Sequence, residues 1–140
     1  MRILLAVDGS AVAAKAIRRV AKLAKDLKDA PQVSLLHVVP RLSRAAEKEF
    51  GQAGPGRYYE GQSEAVLRTL RPLLGRTGLA FEERKAIGDP APTILAEAKA
   101  AKADMVVIGS HGKGALQSLL IGSVALKVVA SSPLPVLVVH

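Results

Sequence analysis

The sequence predicts an α/β fold: a doubly wound, five-stranded parallel sheet with helices on both faces. Three observations carry this. Five short apolar runs are spread along the chain. Their interiors are almost continuously apolar rather than alternating, as in strands buried on both faces. The stretches between them supply four helical connections, and strand–helix–strand alternation requires a parallel sheet with right-handed crossovers.

Residues 2 to 8 form the first strand and end in Asp8-Gly9-Ser10, after which a 3.6-residue period runs to about Lys28. Ser10 is the expected cap of that helix. Pro31 precedes a second strand, Val33 to Val39, stopped by Pro40. Residues 40 to 58 mix charges, three glycines, Pro55 and paired tyrosines with no clean period, and are expected to form a variable loop, partly helical or mobile. From about Glu60 to Arg76, Ala65, Val66, Leu67, Leu70, Leu73 and Leu74 restore a helix, closed by Gly75 and Gly78. Leu79 to Ile87 is a strand with four consecutive charges, which belongs at a sheet edge. Asp89 as N-cap and Pro90 at the first helical position start a helix to about Ala101. Asp104 to Gly109 is the fourth strand; a glycine-rich loop, a helix from about Ser123 to Ala130 and a last strand, Val136 to Val139, follow. No linker or internal repeat interrupts the series, so residues 1–140 are expected to form one domain.

The chain's 140 residues are enough for one self-sufficient core. With 49% hydrophobic and 23% charged residues, disorder and collagen-like fibres are excluded. The apolar runs are too short to cross a bilayer, and the N-terminus lacks a signal-peptide pattern, so a cytoplasmic protein without membrane association is expected. The absence of cysteine excludes disulfides, thiolate metal sites and a cysteine nucleophile. Twenty Lys and Arg against twelve Asp and Glu give a formal charge of +8, which raises the question of an anionic partner. Six of those cations, Lys15, Arg18, Arg19, Lys22, Lys25 and Lys28, lie on one helix opposite Ala13, Ile17, Val20, Ala24 and Leu27. That is the pattern of a solvated helix face. With no aromatic stacking platform, nucleic acid is a minority expectation.

Ligands of open α/β sheets bind at the carboxyl ends of the strands, where strand order reverses. Two strand ends are equipped for this. The first ends in Asp8-Gly9-Ser10 and the fourth in Gly109-Ser110-His111-Gly112-Lys113-Gly114, with Gly122-Ser123-Val124 opening the last helix. Glycines there let backbone amides approach an anion, a helix N-terminus favours phosphate, and Lys113 adds a charge. Asp8 reads equally as a metal ligand or base and as a helix-capping or adenine-positioning group. His37 reads as a core histidine and His111 as a loop residue rather than as acid–base groups. A P-loop is excluded because Gly112-Lys113 is followed by Gly114, and the dinucleotide fingerprint fails because Gln117 stands where its third glycine belongs.

The spacing Gly109-x2-Gly112-x9-Gly122-Ser123, between an apolar strand and a helix, resembles the nucleotide-binding signature of the ATP-binding branch of the universal stress protein family. Val7-Asp8-Gly9-Ser10, Leu36-His37-Val38 and the terminal Pro135 to Val139 extend the resemblance along the chain; only residues 40 to 58 have no counterpart. It implies strand order 3-2-1-4-5, an adenine nucleotide alpha hydrolase-like arrangement. It also implies ATP as cofactor, with Mg2+ or Mn2+ as the ion that would accompany it. Asp8, preceded by Ala6 and Val7, matches the adenosine end, and so does Val38 through its backbone. Ile108, Gly109, Gly112 and Lys113 match the ribose and phosphate loop, and Gly122, Ser123 and Val124 the triphosphate cradle. A homodimer paired through the last strand is implied too, in keeping with Val136 to Val139 being uncharged.

Three functions follow as expectations: an ATP-binding regulatory or sensor module in stress response, a slow ATPase or nucleotidyl-transferring enzyme using the same crevice, and a basic protein binding RNA or acidic partners. The lack of a paired-carboxylate magnesium site and of an obvious general base beside the phosphate loop favours binding over turnover, and no catalytic residue is assigned.

Overall fold

Four of the strands form where both sides of the pleat are apolar and one where charges line a sheet edge, and the longer helices form where one stripe is apolar. In the computed structural model, which describes residues 1–112 and 121–140, the order is β1 (Arg2–Val7), α1 (Ala11–Lys25), β2 (Gln32–Val39), α2 (Arg44–Lys48), a 3-10 turn (Gly51–Ala53), α3 (Gly56–Thr77), β3 (Phe81–Ile87), α4 (Pro90–Ala100), β4 (Met105–Gly109), α5 (Ser123–Ser131) and β5 (Val136–Val139). All five strands are parallel, in the order β3-β2-β1-β4-β5.

Alternate residues of the strands feed two cores. Ile3, Leu5 and Val7 of β1 and Val33 and Leu35 of β2 pack beneath α1 and α3, against Ala13, Ile17, Val20, Leu67, Leu70 and Leu74. Leu4, Ala6, Leu36, Val106 and Ile108 pack on the other face against Ala91, Ile94 and Ala98 of α4 and Ala125 and Val128 of α5. The chain therefore moves from β1 outward to β3 under one helical layer, returns beneath the other to β4, and ends at β5. The reversal lies between β1 and β4, whose partners run from Ile3–Met105 to Ala6–Ile108.

Several expectations need correction. The first helix stops at Lys25 rather than near Lys28, because its end tightens into turns that span three residues in place of four, Asp26 N–H to the Leu23 carbonyl (3.0 Å) and Leu27 N–H to that of Ala24 (3.4 Å). The third strand starts at Phe81 and α3 at Gly56. Of the two glycines expected to close α3, Gly78 does so in the left-handed conformation (φ 69°), while Gly75 lies within the helix. Asp89 occupies the N-cap position of α4 but its side chain makes no cap bond; Pro90 stands at the helix start as expected.

Residues 40 to 58 are more ordered than their composition suggests. Ser43 caps α2, its hydroxyl accepting the Ala46 N–H at 3.2 Å. The buried Tyr59 ties the segment down, its hydroxyl accepting the Leu42 N–H (2.9 Å) and donating to Glu47 (2.8 Å). No residue of α2 is buried, so no apolar period marked it.

The charges of β3 sit at a sheet edge, as expected, but they are partnered. Arg71 of α3 binds Glu83 through Nε (2.7 Å) and Nη2 (2.9 Å), and also Glu64. Arg84 reaches Glu97 of α4 at 3.1 Å, and Lys85 reaches Glu60 of α3.

Candidate functional site

The crevice is built where β1 and β4 end. After Val7 the chain leaves the sheet through Asp8 and Gly9, the latter at φ 73°, a conformation that favours glycine. Asp8 Oδ1 accepts the Ser10 N–H at 3.0 Å, and the Ser10 hydroxyl accepts the Ala13 N–H at 3.1 Å. The expected Ser10 cap is thus present, and one carboxylate oxygen of Asp8 shapes the turn into α1. β2 outruns β1: the last partner pair is Val7–His37, and Val38 lies one residue beyond it, where it still pairs with Ala86 of β3.

On the other side of the reversal, each glycine permits a close approach. A Cβ on Gly112 would lie 2.8 Å from Asp8 Oδ2, so the loop after β4 closes onto the end of β1. A Cβ on Gly109 would meet Val12 Cγ1 at 2.9 Å, in the first turn of α1. One on Gly122 would lie 3.1 Å from the Ser110 carbonyl oxygen, to which the Gly122 N–H already donates at 2.6 Å. Gly122 therefore seats the start of α5 on the backbone of Ser110 and His111, and its own amide is spent there. Gly122 is the N-cap of α5, and among the described residues no side chain caps the helix. The N–H groups of Ser123 and Val124, in the first turn, have no intrahelical acceptor by geometry.

The structure thus brings together Asp8, Gly109, Gly112, Gly122, Ser123 and Val124 around the ends of β1 and β4. The side chains of Ala6, Val7 and Ile108 are buried in the two cores, which leaves only backbone for a ligand. Val38 is half-buried and packs against the α4 layer. Lys113 and Gly114 lie outside the described residues.

Ser110 is a residue that sequence reasoning passed over. Its side chain is fully buried, its N–H donates to the Val139 carbonyl at 2.7 Å, its carbonyl accepts from Gly122, and its hydroxyl lies 2.8 Å from His111 Nδ1. It joins the ends of β4 and β5 to the start of α5. A small polar residue directly after the strand was the signal available. His37, expected in the core, is buried there, with Nδ1 3.2 Å from the hydroxyl of the buried Ser63.

The electrostatics favour an anion. α1 and α5 both begin at this end of the sheet, and a helix N-terminus carries a partial positive charge. Asp8 contributes the opposing charge. Among the described residues no group of three His, Asp or Glu is placed to hold a metal ion, and no helix is long and apolar enough to cross a membrane.

The family model described as the universal stress protein family matches residues 1–140. The universal stress protein in the QAH/OAS sulfhydrylase 3'region of Thermus aquaticus is 37% identical over 142 residues, covering 99% of this chain and 97% of that protein. Among solved structures, MJ0577 of Methanocaldococcus jannaschii superposes with a TM-score of 0.81 at 28% identity, over 99% of this chain and 94% of that one. The universal stress protein of Archaeoglobus fulgidus in complex with dAMP shares the fold, with a TM-score of 0.69 at 23% identity and coverage of 100% and 98%. Strand order and a family match from end to end agree, and the chain belongs to the universal stress protein family.

Proposed function

We propose that this chain binds ATP in the crevice between the ends of β1 and β4 and acts as a regulatory or sensor module, as a homodimer, in stress response. The observation that carries the reading is the convergence of Gly112 onto Asp8 and of Gly122 onto Ser110 and His111 at the point where strand order reverses. That convergence sets two helix N-termini and a glycine-lined backbone around one space suited to phosphate. The A. fulgidus protein in complex with dAMP supports an adenine nucleotide as a ligand of this fold; for this chain the reading rests on the crevice itself. Asp8 and Val38 belong at the adenosine end, and the amides of Ser123 and Val124 at the phosphates. The residues fit a nucleotide better than a protein-held metal: Asp8 is a single carboxylate with one oxygen bonded to Ser10. A Mg2+ or Mn2+ ion would arrive on the phosphates, as magnesium commonly does. Without a second carboxylate to position water, hydrolysis is expected to stay below about one turnover per second, under the ordinary enzyme range.

The test is calorimetric titration of nucleotide-stripped protein with ATP, ADP and AMP, repeated on Ser123→Asp. A carboxylate at the first position of α5 suits the helix dipole, so the variant should melt at or above the wild-type temperature. It should bind ATP at least about tenfold more weakly, because it repels the phosphates. Unchanged ATP affinity in the folded variant would remove the phosphates from this helix, and no binding of any adenine nucleotide by the wild type would defeat the reading.

A further inference from the structure

Two groups of cations in this chain contrast. Around β3 they are neutralised locally: Arg71 by Glu64 and Glu83, Arg84 by Glu82 and Glu97, and Lys85 by Glu60 and Glu64. Across the seam between α1 and α3 they are not. A cleft of about 570 Å3 lies there, with Arg18, Lys22 and Lys25 of α1 and Arg76 of α3 lining it around Ala21 and Leu73. Asp26 is the one carboxylate in the lining. Among the described residues, none of the four cations makes an ion pair.

Helix termini explain part of this. Lys22, Lys25 and Arg76 stand in last turns, where cations complement the dipole. Arg18 does not, and a solvated stripe does not account for cations of two helices converging on one hollow. Four like charges around a shared space repel one another unless an anion lies between them. The half-buried Leu73 and Ala21 beneath them leave apolar surface at the bottom of the same hollow. The complementary ligand has several negative charges and an aliphatic group among them.

We infer that the cleft between α1 and α3 docks an acidic segment of a partner protein, with its carboxylates on Arg18, Lys22, Lys25 and Arg76 and an aliphatic side chain over Ala21 and Leu73. The lining disfavours nucleic acid. It contains no aromatic ring on which a base could stack. This surface is separate from the crevice at the strand ends, so it stands whether or not ATP binds there.

The test is fluorescence anisotropy with a short fluorescein-labelled peptide in which glutamates flank a leucine. A peptide with serine for leucine and a single-stranded RNA of equal charge serve as comparisons. Arg18→Glu with Lys22→Glu reverses two charges in the cleft. Lys99→Glu with Lys127→Glu makes the same change in net charge on exposed positions of α4 and α5, on the opposite face. The leucine peptide should bind the wild type with an affinity that falls with salt, and more tightly than the serine peptide. The cleft variant should lose about tenfold or more and the control variant less than about twofold. An unchanged circular dichroism spectrum and a cooperative thermal melt establish that the cleft variant is folded. Equal losses in both variants would reduce the effect to net charge and overturn the inference. Tighter binding of RNA than of peptide, lost in the cleft variant, would overturn it in favour of a nucleic-acid face, and absence of peptide binding at low salt would overturn it outright.

Discussion

At the scale of single residues, the contact between Asp8 and Gly112 couples two parts of the chain that meet only in the folded state. Asp8 cannot swing away freely, because its Oδ1 accepts the Ser10 N–H, and a Cβ at position 112 would press on Oδ2 at 2.8 Å. Gly112→Ala is therefore expected to cost about 1–3 kcal/mol, the usual penalty for overpacking. Asp8→Ala should lose about 1 kcal/mol with the Ser10 bond. In the double variant the crowding disappears, so the two effects should fall short of additive by roughly 1 kcal/mol in urea unfolding. Strict additivity would mean that the loop stands clear of Asp8. The sequence showed both residues as interesting, but it could not show that they touch, nor that Gly109 is glycine because Val12 of α1 lies against it. A spacing rule records which positions are small. What each must make room for is a matter of tertiary approach.

At the scale of elements, β3 has the strongest consequence. Four charges in a row read as a strand kept from pairing, and β3 is indeed at the edge. The structure adds a second role, since Arg71 joins α3 to β3. Its guanidinium bonds pull the Glu64 carboxyl down to about 2, with Lys85 assisting, and lower Glu83 as well. Both carboxylates titrate lower in the folded chain than in the unfolded one. The stabilisation from Glu64 is present above the unfolded value of 4.5 and is lost as pH falls from there toward 2, and that from Glu83 is lost in the same direction. Thermal melts through that window should show a decline that Arg71→Leu flattens. The contribution is modest because Glu64 and Arg71 are substantially exposed, and added salt should shrink it further. An equally steep decline in the variant would place acid sensitivity elsewhere.

At the scale of the whole molecule, the proposed dimer concerns the edge opposite β3. Among the described residues β5 pairs with β4 alone, and it carries no charge. Beside it, α5 exposes Leu126 (54%) and Val129 (44%), two of the large apolar side chains left uncovered. An isologous contact would satisfy the free edge and cover these side chains in both copies at once. Val138 is a poor place to probe it, because it faces the core beneath α4 and α5. Val129→Glu is the better variant: exposed in one chain, it should leave the fold intact and weaken association by about tenfold or more in sedimentation velocity. A wild type that is monomeric at tens of micromolar, or a variant that associates as tightly as the parent, would remove β5 and α5 from the interface.

The sequence by itself determined the fold class, the five strands, the four principal helices and the two strand ends that build the crevice. These are local matters: an apolar run buried on both faces, a 3.6-residue stripe, a proline or glycine at a boundary. Only the tertiary structure decided the rest. It enclosed Ser110 between β4, β5 and α5, ordered residues 44–48 through Tyr59, and buried the side chains of Ala6, Val7 and Ile108 in the cores. It also gathered Arg18, Lys22 and Arg76 around one cleft. The physical reason is the same in each case. Periodicity reports which side of an element is buried, whereas a contact between elements depends on distances that the chain sets only after the sheet has closed and the helices have packed upon it.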